Sequence, residues 1–292
     1  MQERREKIEM TLCVAAACQE RGKARIVIGT DWRAGTETAA ADIQDKLYWI
    51  DDNIAVLIAG AVSRAIEFKD TYKQFLLKRE RQQKDKPELE REPITAANLL
   101  DVFKTPSTIY KNKLLNEYIG LRFGMTYPAF LRCVANKEIP ESLAEETLNN
   151  VKRIYPDCQL IILLFLDKDS YILKVDDDGS LESCESFAAI GSGADVAESV
   201  LYQREHQDDD GVGKTVYHVF EAMLLGSIAP GVGDEPTIDV LYPQGERSEG
   251  VYGAYLNKKG EALMKREFKK RGPKKFSNFP RIPDNCFDMD FE

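Results

Sequence analysis

Met10-Thr11-Leu12-Cys13-Val14-Ala15 puts a threonine at the head of an apolar strand, directly behind an internal methionine. Two readings of Thr11 stand side by side. In one it is a β-branched residue that opens a strand and does nothing more. In the other, translation starts at Met10, removal of the initiator leaves Thr11 first, and one residue then carries both a nucleophile and a base. The nucleophile is its hydroxyl. The base is its own α-amine, with a reference pKa of about 7.7–8.0.

Working outward, Leu12–Cys18 and Arg25–Thr30 read as strands joined by Gln19-Glu20-Arg21-Gly22-Lys23. A second pair, Lys46–Ile50 and Ile54–Ala59, is joined by the turn residues Asp51-Asp52-Asn53. Gly60 opens a helix in which Ala65, Phe68, Tyr72, Phe75 and Leu76 recur at helical spacing. Residues 78–92 are crowded with charge and read as a solvated helix end and loop. Residues 94–155 read as helical pieces broken at Pro106, Pro128 and Pro140. Strands return at Gln159–Leu166, Tyr171–Val175 and Phe187–Ile190. Helices follow at about Ala194–Gln207 and Lys214–Gly226, then a strand pair at Thr237–Tyr242 and Val251–Leu256.

Hairpin-linked strands make antiparallel sheets, so the class is α+β rather than a doubly wound parallel fold. Two such sheets stacked face to face, with helix pairs outside, bury both kinds of apolar face. The expectation is a four-layer αββα sandwich.

Composition narrows the function. The 292 residues carry a formal charge of −9, which argues against general nucleic-acid binding. The longest apolar run, Leu160 to Leu166, is too short to cross a bilayer, and Met1–Lys7 lacks the pattern of a signal peptide. Six cysteines (Cys13, Cys18, Cys133, Cys158, Cys184, Cys286) form no CxxC pairs, so neither a metal cluster nor a disulfide framework is expected. A soluble, reduced, cytoplasmic protein without membrane attachment is the simplest account. The two histidines, His206 and His218, read as ordinary helix-surface or loop residues, so a histidine triad has thin material.

The order of features resembles proteasome β subunits and their bacterial relatives, which are N-terminal-nucleophile hydrolases. Met10-Thr11 opens the first strand, as in the simplest bacterial members. Gly29-Thr30-Asp31-Trp32-Arg33-Ala34-Gly35 matches the aspartate that ends family strand two, and Gln44-Asp45-Lys46-Leu47-Tyr48-Trp49-Ile50 the lysine that starts strand three. Ile58-Ala59-Gly60-Ala61 matches the glycine before the first helix, and Ala189-Ile190-Gly191-Ser192-Gly193 the turn into the third. The match covers residues 11–77 and about 158–243.

The resemblance implies a threonine-type peptidase with Thr11, Asp31, Lys46 and Ser192 as catalytic residues. Gly60 N–H serves as oxyanion donor, and Gly35 and Ile58 line a substrate channel. It implies a peptide or polypeptide substrate, assembly into a homo-oligomeric ring, a possible unfoldase partner, and no metal or organic cofactor. The chemistry is coherent by itself. The amine takes the hydroxyl proton, Lys46 favours the alkoxide-like form, Asp31 compensates the ammonium, and Ser192 links to the amine.

Each residue also has a structural reading: Asp31 as a turn cap, Lys46 as a strand-flanking surface residue, Gly60 as a sharp helix entry, Ser192 as an N-cap. The chain departs from the family in several places. Gln19 to Arg25 makes a long, bulging first hairpin. Ser227-Ile228-Ala229-Pro230-Gly231-Val232-Gly233 lacks the family's aspartate and serine, with Asp234 a poor substitute, and Met10 replaces the glycine that precedes autocatalytic release. Residues 1–10 are then a leader or a mis-assigned start, 11–257 the domain with a helical insertion at about 78–157, and 258–292 a tail. A silent scaffold subunit, a non-proteolytic amidohydrolase and a partner-recruiting dead core are the competing readings.

Overall fold

The computed structural model describes residues 11–31, 34–36, 39–41, 46–230, 232–233, 235–244 and 253–273. The chain opens on β1 (Leu12–Glu20) and β2 (Lys23–Asp31), paired from Cys13↔Thr30 to Glu20↔Lys23. The expected bulge between Gln19 and Arg25 is absent. Both strands run to a two-residue turn in which Arg21 and Gly22 take φ of 54° and 76°. Such a turn twists with its strands, so charged residues such as Glu20 and Lys23 can extend the ladder into solvent.

A short ribbon, β3 (Ala34–Thr36) with β4 (Ala39–Ala41), follows. Then β5 (Leu47–Asp51), β6 (Ile54–Gly60), β7 (Cys158–Leu166), β8 (Asp169–Val175) and β9 (Leu181–Cys184) pair in that order as one antiparallel sheet. The remaining strands are β10 (Phe187–Gly191), β11 (Pro236–Leu241) and β12 (Gly253–Tyr255). They complete a second five-stranded sheet of order β10-β1-β2-β11-β12. The sequence reading had no counterpart for β9, an edge strand with too little apolar alternation to signal itself.

The described residues form seven α-helices: α1 (Val62–Lys84), α2 (Leu99–Phe123), α3 (Tyr127–Ala135), α4 (Glu141–Val151), α5 (Ala194–Gln203), α6 (Val212–Gly226) and α7 (Lys258–Arg271). Pro128 lies in the first turn of α3 and Pro140 caps α4, as breakers should. Pro106 does not break its helix, contrary to expectation. Packing outweighs the lost hydrogen bond there. Tyr110 stacks on Phe68 of α1 at 4.5 Å, and Ser107 meets the Tyr72 hydroxyl at 2.6 Å. No helix among the described residues is long and apolar enough to cross a membrane.

Strand alternation distributes the core. In β1, Cys13, Ala15 and Ala17 face Leu57, Ala59, Ile161 and Leu163 of the other sheet. Leu12, Val14, Ala16 and Cys18 face Ala197, Leu201, Val219 and Phe220 of α5 and α6. In β6 and β7, Val56, Ile58, Leu160 and Ile162 face Phe68 and Tyr72 of α1 and Phe103 of α2. One apolar layer thus lies between the sheets and one outside each, so neither strand face reads as polar. The protein is a mixed α/β molecule with two packed antiparallel sheets, compatible with a sandwich.

Candidate active site

Thr11 sits one residue before β1, held from two sides. Asp31, the last residue of β2, accepts from Thr11 Oγ1 at 2.9 Å and from the Leu12 N–H at 2.9 Å, both through Oδ1. Lys46, immediately before β5, comes from the other sheet, and its Nζ donates to both Thr11 Oγ1 and Asp31 Oδ1. Thr11, Asp31 and Lys46 are 6%, 1% and 6% exposed, so this is a buried group rather than a surface pairing. The surface and turn-cap readings of Lys46 and Asp31 do not describe it.

Such burial needs full compensation. An ammonium and a carboxylate taken out of water each carry several kcal/mol of desolvation cost, which mutual attraction and further hydrogen bonds must offset. Asp31 has those bonds, because its Oδ2 accepts from the Gly233 N–H at 3.2 Å. The segment between α6 and β11 therefore reaches the group through its backbone. No side-chain motif could have shown this. Asp234 lies outside the described residues.

The turn after β10 fixes the other side of Thr11. The Ser192 N–H donates to the Thr11 carbonyl at 2.9 Å, and Ser192 Oγ meets the same oxygen at 3.4 Å. The expected link from Ser192 was to the amine; the contact found is to the carbonyl. Gly191 has φ of 95°, and a Cβ there would stand 2.1 Å from the Thr11 carbonyl oxygen. Only glycine lets the turn approach so closely.

Gly60 ends β6 with φ of 90°, and a Cβ on it would meet Cys158 Cα at 2.8 Å. The Ile58 N–H, two residues earlier, donates to the Lys46 carbonyl at 3.1 Å. Strand alternation directs the Gly60 N–H to that same edge, past the start of β5, where Lys46 lies. Ile58 itself points away: its side chain is buried in the α1-facing layer, because alternation sends residues 54, 56 and 58 there. It offers no exposed wall to a substrate. Gly35 is placed by its backbone alone, paired with Ala40 in the β3–β4 ribbon.

The neighbouring thiol is not a rival nucleophile. Cys13 donates to the Ile58 carbonyl at 3.5 Å, and burial pushes its pKa up to about 12 despite the nearby Lys46. The oxygen of Thr11 is better placed. It accepts from the Lys46 ammonium, which lowers the cost of negative charge on Oγ1, while its own hydrogen points at the Asp31 carboxylate.

At the other end of β1 stands a second buried group that the sequence reading missed. His206 and His218 are 2% and 5% exposed, not surface or loop residues. His206 Nε2 meets the Ala17 carbonyl at 3.0 Å, and its Nδ1 lies 3.3 Å from His218 Nδ1 and 3.2 Å from Asp210 Oδ2. Burial holds both imidazoles below their ordinary pKa, His218 at about 4. The only sequence signal was His206 and Asp210 four residues apart, outside any helical pattern.

No protein-family model matches this chain, and no curated protein is significantly similar to it.

Proposed function

We propose that the protein is a threonine-type peptidase of the proteasome β class, on a four-layer αββα N-terminal-nucleophile fold. One observation carries the reading: a buried threonine hydroxyl at the head of the first strand, bonded at once to Lys46 and Asp31. A threonine that merely opens a strand needs no ion pair brought from two different sheets.

In this reading the reaction begins once Thr11 is freed from residue 10. Oγ1 attacks the peptide carbonyl and its proton passes to the released α-amine, directly or through water. Lys46 stabilises the charge that develops on Oγ1, and Asp31 holds the ammonium. The tetrahedral oxyanion is received by the Gly60 N–H, an interaction of the kind worth ~3–4 kcal/mol of barrier. Collapse expels the leaving amine, which takes that proton from the α-ammonium, and leaves an ester on Thr11 that water hydrolyses with the freed α-amine as base. Assembly into a homo-oligomeric ring around a peptide substrate belongs to the same reading.

Intact-mass measurement of the native protein tests the first requirement, with a chain starting at Thr11 as the expected result. A mature chain that keeps Met10 removes the base and leaves a scaffold protein. Turnover of peptides against turnover of small amides then separates the peptidase from an amidohydrolase on the same site.

A further inference from the structure

The histidine pair at the far end of β1 gathers three electron-pair donors around one point. The Ala17 carbonyl can only accept, so His206 Nε2 carries the ring proton in the contact at 3.0 Å. A neutral His206 then presents a lone pair at Nδ1. Asp210 Oδ2, also an acceptor, faces that lone pair at 3.2 Å, and His218 Nδ1 faces it at 3.3 Å. Even with a proton on His218 Nδ1, the carboxylate and the His206 lone pair remain opposed unless a second proton on His206 or a cation lies between them.

We propose that His206, Asp210 and His218 bind one divalent transition-metal ion of the Zn²⁺ type, which pins the turn after α5 and the face of α6 to the end of β1. Bonds of about 2.0–2.1 Å in a tetrahedral site put neighbouring donors about 3.3 Å apart. Two of the three donor separations have that length, and all three donors lie within 4.8 Å of one another. Two imidazoles and one carboxylate make a set that suits zinc and leaves a fourth position for water.

The surroundings agree. The bond from His206 Nε2 to a backbone carbonyl is the outer contact that fixes a ligating histidine in the right tautomer. The Gln19 N–H donates to the Asp210 carbonyl at 2.9 Å, so the ligand turn is already docked on β1. Lys214 occupies Asp210 Oδ1 at 2.6 Å and leaves Oδ2 to the histidines. A cleft of about 490 Å³ reaches His206 past Glu182, Glu185, Glu198 and Glu205, of which Glu198 is paired with Lys174. Its acidic lining raises the local cation concentration.

The test titrates ZnCl₂ into the full chain, stripped with EDTA and dialysed, at pH 8. It reads binding rather than turnover, so it stands or falls apart from the peptidase reading. One ion per chain, a rise in Tm that EDTA reverses, and binding at least tenfold weaker in His218→Gln are expected. Should that variant fail to fold, Co²⁺ on the unmodified chain decides. A strong tetrahedral visible spectrum without a thiolate charge-transfer band supports the site. The pale spectrum of hydrated Co²⁺ overturns it. No saturable Zn²⁺ binding, undiminished binding by folded His218→Gln, or a Tm that answers to acid and not to Zn²⁺ also overturns it.

Discussion

The two ends of β1 bury polar groups in opposite ways. At the Thr11 end, Lys46 and Asp31 form an ion pair whose oxygens are all used, from Thr11 Oγ1 to the Gly233 N–H. At the Ala17 end, two histidines sit with their Nδ1 atoms turned toward each other, and that of His206 also toward Asp210. The first group is held by charge compensation, whereas in the second burial pushes the two imidazoles toward their neutral form. One strand thus carries an ion pair at one end and a histidine cluster at the other, and substitutions at the two ends should behave differently.

The largest difference concerns activity. Thr11→Ala should lower peptide turnover by ~10⁴ or more, the scale on which nucleophile removal acts. The protein should still fold, since Lys46 keeps Asp31 as partner. Steady-state kinetics beside a thermal melt checks both halves; turnover within tenfold of the native rate breaks the comparison.

Stability gives the next contrast. Asp31→Ala leaves the Lys46 ammonium buried without its partner and should cost ~3–5 kcal/mol in urea unfolding. In EDTA, truncating His206, whose buried imidazole is pushed toward its neutral form, should cost only about 1–3 kcal/mol, the scale of an unsatisfied polar contact. Equal losses at the two ends would dissolve the distinction between charged and neutral burial.

Acid sharpens the same contrast. His218 is held at about 4, chiefly by burial, with His206, Lys214 and Arg204 lowering it further and Asp210 opposing them. Its reference pKa is about 6.5, so between those values the unfolded chain binds a proton that the folded chain refuses. Stability is therefore complete above pH 6.5 and falls as pH drops toward 4, by ~3 kcal/mol from this residue. Urea melts at pH 7.5, 6 and 4.5 in EDTA, compared with His218→Gln, should show this loss shrinking in the variant. The smallest effect belongs to Ser192→Ala. Its hydroxyl contact to Thr11 is 3.4 Å long while its N–H keeps the turn bonded, so about 0.5–1 kcal/mol is expected from calorimetry.

What the sequence made legible follows the same division. Thr11, Asp31, Lys46, Gly60 and Gly191 announce themselves because each stands at a strand end or turn that local pattern marks. The structure brings the first three into contact. The paired strands were readable for a related reason: their turns are short and rich in Asp, Asn and Gly. Gly233 was not readable, since its contribution is a backbone N–H. The histidines were hidden by their setting. His206 lies in a polar run, and its burial comes from Ala17 and Phe187, distant in sequence. Pro106 misled for the opposite reason: its local rule is strong, and aromatic packing between α1 and α2 overrode it.

Mapping a β-lactone adduct is the most direct test of the central claim, that Thr11 Oγ1 is a working nucleophile. Native protein is treated with the lactone, digested, and its peptides sequenced by tandem mass spectrometry. The account predicts a single acyl ester on Thr11, at the start of its peptide, and none in Thr11→Ala. An adduct on a cysteine or lysine instead, or an unlabelled Thr11 with a free amine, would contradict it.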